Sequence, residues 1–292
     1  MILIDQSTKN QFRIFCKENN ITDMEKAVQY FIVFGGLNIK IDTKKPLLEL
    51  IEQHILNNYL QLRNEIHSLT GGYKVDHAVL TGIAQGDRRT NSSFKRAFVS
   101  FEEGSKCVEK LVERGIIEVE SSQHHLANKR GDDKVARKLL FTTPFLRFWF
   151  AFVSPIYKGI KEKNYEEFYT LFENKQAEFG NFVFEELSME FIRDLLSEDP
   201  IKQFGKYWDE KREIDLVAKT TSGKIIAGNC KYINSKIKKN ELNRLMDDCK
   251  GAGLNVDIFV IFSKNGFSNE LKSLKSDSLR LFTPKSFKLL LA

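Results

Sequence analysis

No Cys-x-x-Cys pair occurs in this chain of 292 residues, and its four cysteines, at 16, 107, 230 and 249, lie too far apart for a zinc ribbon or a small disulfide framework built from local spacing. G-x-x-x-x-G-K-[ST], G-x-G-x-x-G, G-x-S-x-G and H-E-x-x-H are all missing. With them goes the support for an ATP-cradling loop, a dinucleotide fold, a hydrolase nucleophile elbow and a zinc-protease helix. His124-His125, in a polar turn, has no cysteine or acid at ligand spacing and is not read as a metal site. Long apolar runs are missing too. The densest, 139–153, is interrupted by Thr142, Thr143, Pro144 and Arg147, too short and too polar for a membrane span. The start, Met1-Ile-Leu-Ile-Asp5, turns polar after four residues, whereas a secretory signal needs a basic start and a longer apolar stretch. These absences lead to the expectation of a cytoplasmic protein with reduced thiols, no membrane partner and no bound ATP.

The chain does contain 42% hydrophobic and 29% charged residues, enough for two domains with cores of their own. A formal charge of +6 leans towards anionic partners, although a lysine-rich composition produces the same number with no binding role.

Periodicity divides the chain into four expected parts. Residues 1–72 carry helix-spaced apolar positions such as Leu47, Leu48, Ile51, Ile55, Leu56 and Leu62, ending at Gly71-Gly72. Residues 73–143 read as helices near 75–85, 92–98 and 104–114, then strands near 116–120 and 136–142, which is the pattern of a winged helix-turn-helix. Residues 144–180 read as an aromatic helical connector. Residues 181–292 read as mixed α/β, with helices at 184–196, 239–249 and 269–275 and strands at 213–219, 224–232, 256–262 and 279–282. The expected fold class is therefore α+β or α/β.

The chemistry concentrates in the last part. Glu185 lies on the first helix, Asp215 in Glu213-Ile214-Asp215-Leu216-Val217, and Lys231 in Gly228-Asn229-Cys230-Lys231 on the following strand. A helix acid, a strand acid and an x-x-Lys strand are the layout of PD-(D/E)XK nucleases. There, carboxylates hold Mg²⁺ and the lysine orients water and offsets phosphate charge. Parity supports the layout. If Ile214, Leu216 and Ala218 share an apolar face with Ile226, Gly228 and Cys230, Asp215 falls on the side of Asn229 and Lys231. That register needs an odd-length turn at 220–224 with Gly223 left-handed. The plain alternative is a solvated Asp–Lys cross-strand pair and an ordinary surface glutamate.

Several stretches resemble the C-terminal region of archaeal-type winged-helix ATPases. They are Phe145-Leu146-Arg147-Phe148-Trp149-Phe150, the Asp215 strand with Trp208, Gly228-Asn229-Cys230-Lys231, Ile258-Phe259-Val260-Ile261-Phe262-Ser263, and Leu80-Thr81-Gly82-Ile83. The resemblance implies a helical lid-like segment, a winged helix and a restriction-endonuclease-like C-terminal domain. In two respects the chain departs from that family: the ATPase core is absent, and Asn229 stands where glutamate usually precedes Cys-Lys. An amide oxygen can ligate Mg²⁺ but brings no charge, which lowers the expected metal affinity.

Two readings remain at this point. In one the protein is a Mg²⁺-dependent DNA endonuclease, with Glu185, Asp215 and Asn229 holding metal and Lys231 at the water or phosphate. In the other it is a non-catalytic module that binds DNA or a protein partner. Basic residues for DNA phosphates are Lys129, Arg130, Lys134, Arg137 and Lys138 in the wing, and Lys236, Lys238, Lys239 and Arg244 after Lys231; solvated faces are the plain alternative.

Overall fold

The computed structural model describes residues 2–4, 6–127 and 135–292. It is an α+β protein that divides into two units. The first comprises Met1–Thr22, Gln29–Glu120 and Ala136–Gln176, and the second Asp23–Val28, Ser121–Val135 and Ala177–Ala292.

The N-terminal helices are α1 (Thr8–Glu18), α2 (Met24–Phe34), α3 (Leu47–Ile51) and α4 (Tyr59–Thr70). The Ser7 side chain caps α1 by accepting the Asn10 N–H, and α4 stops at Gly71, whose φ of 79° requires the freedom of glycine. Next come α5 (Lys74–Ala84), α6 (Thr90–Ala97) and α7 (Phe101–Glu113), followed by β1 (Ile117–Glu120) and β2 (Lys138–Phe141). These two strands pair antiparallel from Ile117↔Phe141 to Glu120↔Lys138. Helices α5 and α6 approach closely because Gly82 has no Cβ to strike the Ser93 carbonyl. The aromatic run forms α8 (Pro144–Phe148), a π-helical turn at Trp149–Val153 and, further on, α9 (Tyr157–Lys161). Phe148 packs on Phe152, Phe168 and Phe172 with ring centroids 5.4, 6.2 and 5.9 Å away.

The connector expected to end at residue 180 does not end there. Helix α10 runs unbroken from Glu166 to Leu195 through Gly180. A single glycine costs a helix interior only about 1 kcal/mol, and buried Phe179, Val183 and Phe184 on either side hold it in place.

In the second unit, β3 (Ile201–Trp208), β4 (Glu213–Thr220), β5 (Ile225–Lys231), β6 (Ile258–Ser263) and β7 (Leu279–Phe282) form one sheet in that order. The first three are antiparallel and the last two join in parallel. Helix α11 (Lys239–Ala252) makes the crossover from β5 to β6, and α12 (Asn269–Ser273) that from β6 to β7. On one face Leu242, Leu245 and Cys249 of α11 pack with Ile214, Val217, Ala227 and Ile261. On the other, Phe184 and Phe191 of α10 meet Phe262, Phe282 and Phe287. Strand β3 was not expected, because Lys202, Gln203, Gly205 and Lys206 interrupt its apolar pattern. Its outer edge is covered by the segment around the turn His124–Ala127. The Gln123 N–H donates to the Lys206 carbonyl (2.9 Å), the Ser122 hydroxyl bonds the Trp208 backbone, and the His124 ring packs edge-on against Tyr207.

Candidate functional site

The β4–β5 hairpin closes through Gly223 at φ 94°, with mutual backbone bonds between Thr220 and its turn, as the odd-length loop requires. The register is Leu216↔Gly228 and Ala218↔Ile226, which sets Asp215 at the end of the ladder next to Asn229. One expected face is corrected. Against β3, Gly205 pairs with Val217 but Tyr207 with Ile214, so β4 carries an extra residue between them. This bulge turns Ile214 into the same layer as Val217, leaving Leu216 and Ala218 outside it, and the extra length falls at Asp215-Leu216. The Asp215 carboxylate accepts the Cys230 N–H at 2.8 Å, just beyond the last β4–β5 pair, Leu216↔Gly228.

Glu185 reaches this region from α10 and is 3% exposed. Both of its oxygens are engaged: Oε2 with the Lys206 ammonium at 2.5 Å and Oε1 with the Asn181 amide at 2.6 Å. Asn181 in turn accepts the Tyr232 N–H at 2.9 Å, tying α10 to the exit of β5. Asn229 donates to Glu241 of α11 at 3.0 Å, and the part-buried Lys231 ammonium lies 3.2 Å from the same Glu241 oxygen. The Asn229 carbonyl oxygen is buried and has no hydrogen-bond partner.

Burial, and then the Glu185 charge, push the Asp215 carboxyl up to about 7, against the opposing pull of Lys231, the Cys230 N–H and Lys206. Burial works against the Lys231 ammonium, but Asp215 and Glu241 outweigh it and hold its pKa above the usual lysine value. Burial, with Asp215 and Glu185 adding to it, raises the Cys230 thiol well above the ordinary range, so it is no ready thiolate nucleophile.

These donors do not fit Mg²⁺ as they stand. A hard cation wants several oxygens, mostly anionic. Here Glu185 is neutralised by a lysine, Asn229 offers a neutral oxygen, and two ammonium groups act on Asp215. Only the unpartnered Asn229 oxygen has the character of a waiting ligand. Among the described residues, no three His, Cys, Asp or Glu side chains are grouped to hold a metal.

Of the basic residues, Lys129, Arg130 and Lys134 lie outside the described residues. Arg137 is exposed. Lys138 is a correction: it is 1% exposed, drawn into β2 opposite Glu120, and cannot reach a phosphate from there. Lys236 and Lys238 are exposed, whereas Lys239 lies 3.4 Å from Glu270 and Arg244 3.8 Å from Asp248. Sequence reasoning missed Lys206, Asn181 and Glu241. An acid in the opening turn of α11 was a usable signal for the last, whereas Lys206 sits in a stretch whose broken apolar pattern gave none.

Residues 149–245 match the model of a family, DUF234, described as archaeal and bacterial proteins of unknown function. No curated protein matches the sequence. Among solved structures, protein VC1899 from Vibrio cholerae is similar at 14% identity and a TM-score of 0.28. The alignment covers 93% of this chain and 55% of that one, so this chain spans about half the length of that protein. No helix among the described residues is long and apolar enough to cross a membrane.

Proposed function

We propose that the chain is a nuclease-like DNA-binding protein that holds DNA without cutting it, with a PD-(D/E)XK-type domain joined to a winged-helix module. The observation that carries this reading is the buried Lys206–Glu185 pair at 2.5 Å. A metal-dependent nuclease needs that carboxylate for its cation. Support for the nuclease-like ancestry comes from the order of helix acid, strand acid, hairpin, lysine strand and helix, and from the convergence of Glu185, Asp215 and Lys231 on one charged cluster. Support for DNA comes from the exposed Arg137, Lys236 and Lys238, which can meet phosphates without reading bases.

A plasmid-nicking assay in Mg²⁺ or Mn²⁺, run beside gel shifts at rising salt, tests the proposal. The expected result is salt-sensitive DNA binding with no nicking above an Asp215→Ala control. The unpartnered Asn229 oxygen favours a second reading, a weak metal-dependent endonuclease. Metal-dependent nicking that disappears in both Asp215→Ala and Lys231→Ala would establish that reading and overturn the first.

A further inference from the structure

We infer that Lys206 is the resident cation of this site: its ammonium takes, against Glu185, the place a divalent metal would need, so the acidic cluster is complete without metal. The inference rests on the non-cutting reading and deepens it. Lys206 is 1% exposed and Glu185 3%, so neither charge is left to water. A buried carboxylate must be matched by a cation, and a metal and an ammonium at contact distance would compete for the same oxygen. The Asn181 amide donates to the other oxygen at 2.6 Å, so both oxygens of Glu185 already have a partner.

The lysine is also held where it is. The Gln123 N–H donates to its carbonyl at 2.9 Å, and its neighbours Tyr207 and Trp208 are fully buried, which anchors β3 at the lysine's own backbone. Its influence extends past Glu185, since its charge also acts on Asp215. Its contact is with Glu185; on Asp215 its pull is the weakest of those that oppose burial. The sequence feature behind this is a strand lysine with no place in the helix-acid, strand-acid, x-x-Lys layout, and the loss of the second strand acid at Asn229 is consistent with it: once a lysine supplies the positive charge, a further carboxylate has no cation left to bind.

The experiment uses the full chain as wild type, Lys206→Met and Lys206→Met/Glu185→Gln. Thermal melting is followed in EDTA and in millimolar Mn²⁺, and free aquo-Mn²⁺ is counted by its paramagnetic resonance signal. The wild type is expected to bind no Mn²⁺ and to melt identically in both buffers. Lys206→Met is expected to melt on the order of 10 °C lower in EDTA, from the uncompensated Glu185, and to recover in Mn²⁺ while depleting the free-ion signal. The double variant is expected to lose both the penalty and the recovery. Mn²⁺ binding by the wild type equal to that of Lys206→Met, or a folded Lys206→Met with no Mn²⁺ response, overturns the inference. So does a Lys206→Met that cannot be recovered folded even in Mn²⁺, whether or not the double variant folds, because metal then fails to replace the lysine. DNA binding by the wild type in EDTA is read separately: its absence sinks the DNA-binding proposal and leaves the Mn²⁺ result standing.

Discussion

Around Phe148 the first unit packs ring against ring, with Phe152, Phe168 and Phe172 closing over it, whereas around Glu185 the second unit sets an equally buried helix side chain against a lysine, an amide and a second acid. Both helices also bury aromatic rings, so the apolar packing that folds each unit is of one kind. The difference is that the Glu185 region keeps charges inside that no packing argument calls for. Apolar packing is insensitive to pH and ions, while buried charges make stability depend on both. The comparison can be broken most forcefully at Phe148. Phe148→Ala is expected to cost about 3–5 kcal/mol by leaving a cavity among the neighbouring rings. Because no titrating group is removed, denaturant melts at acid and neutral pH should show the same loss. A loss that changes with pH would mean the two regions are not distinct in the way described.

The opposite behaviour is expected at Asp215. Its pKa is raised in the folded protein, so between the ordinary carboxylate range and pH about 7 the native state binds a proton that the unfolded chain has released. Stability from this group is therefore greatest in acid, falls as pH rises through that window, and is flat above it. Asp215→Asn keeps an oxygen for the Cys230 N–H and cannot ionise. The variant should match the wild type near pH 4 and exceed it near pH 8 by on the order of 4 kcal/mol, a figure in which the attraction of Asp215 to Lys231 and Lys206 is already counted. Urea titrations at the two pH values measure this. A variant less stable than the wild type at pH 8 would show that those ammonium groups outweigh burial.

What could be read from the sequence follows the same division. The three helices and strand pair of 73–143 and the hairpin with Gly223 were legible because periodicity and turn chemistry are local signals. Strand β3 was not, since its buried Lys206 imitates a solvated residue until its partner on α10 is known. The bulge at Asp215 was hidden for a related reason. Strict alternation predicted one face for Ile214, Leu216 and Ala218, and only the pairing with β3 reveals the extra residue. Gly180 misled in the other direction, as a local helix-stopping signal overridden by buried residues on both sides.

The smallest effect on stability is expected where charge is exposed, and it marks the outer limit of the comparison. Lys236 and Lys238 flank buried Ile237, and both side chains stand in solvent. Lys236→Ala/Lys238→Ala should leave stability within about 0.5 kcal/mol of the wild type, since Lys238 sits at the N-cap of α11 but its side chain makes no capping bond there to lose. In the DNA-binding proposal these same two residues face phosphates, and each lysine removed should reduce the slope of log affinity against log salt by about 0.9. The double variant is therefore expected to keep its melting curve while its salt slope falls by up to about 2, uniformly across DNA sequences, since phosphates carry no base information. Gel shifts over a salt series give both slope and affinity. An unchanged slope would remove the α11 edge from the DNA surface and shift the burden of binding to the first unit, where Arg137 is an exposed cation.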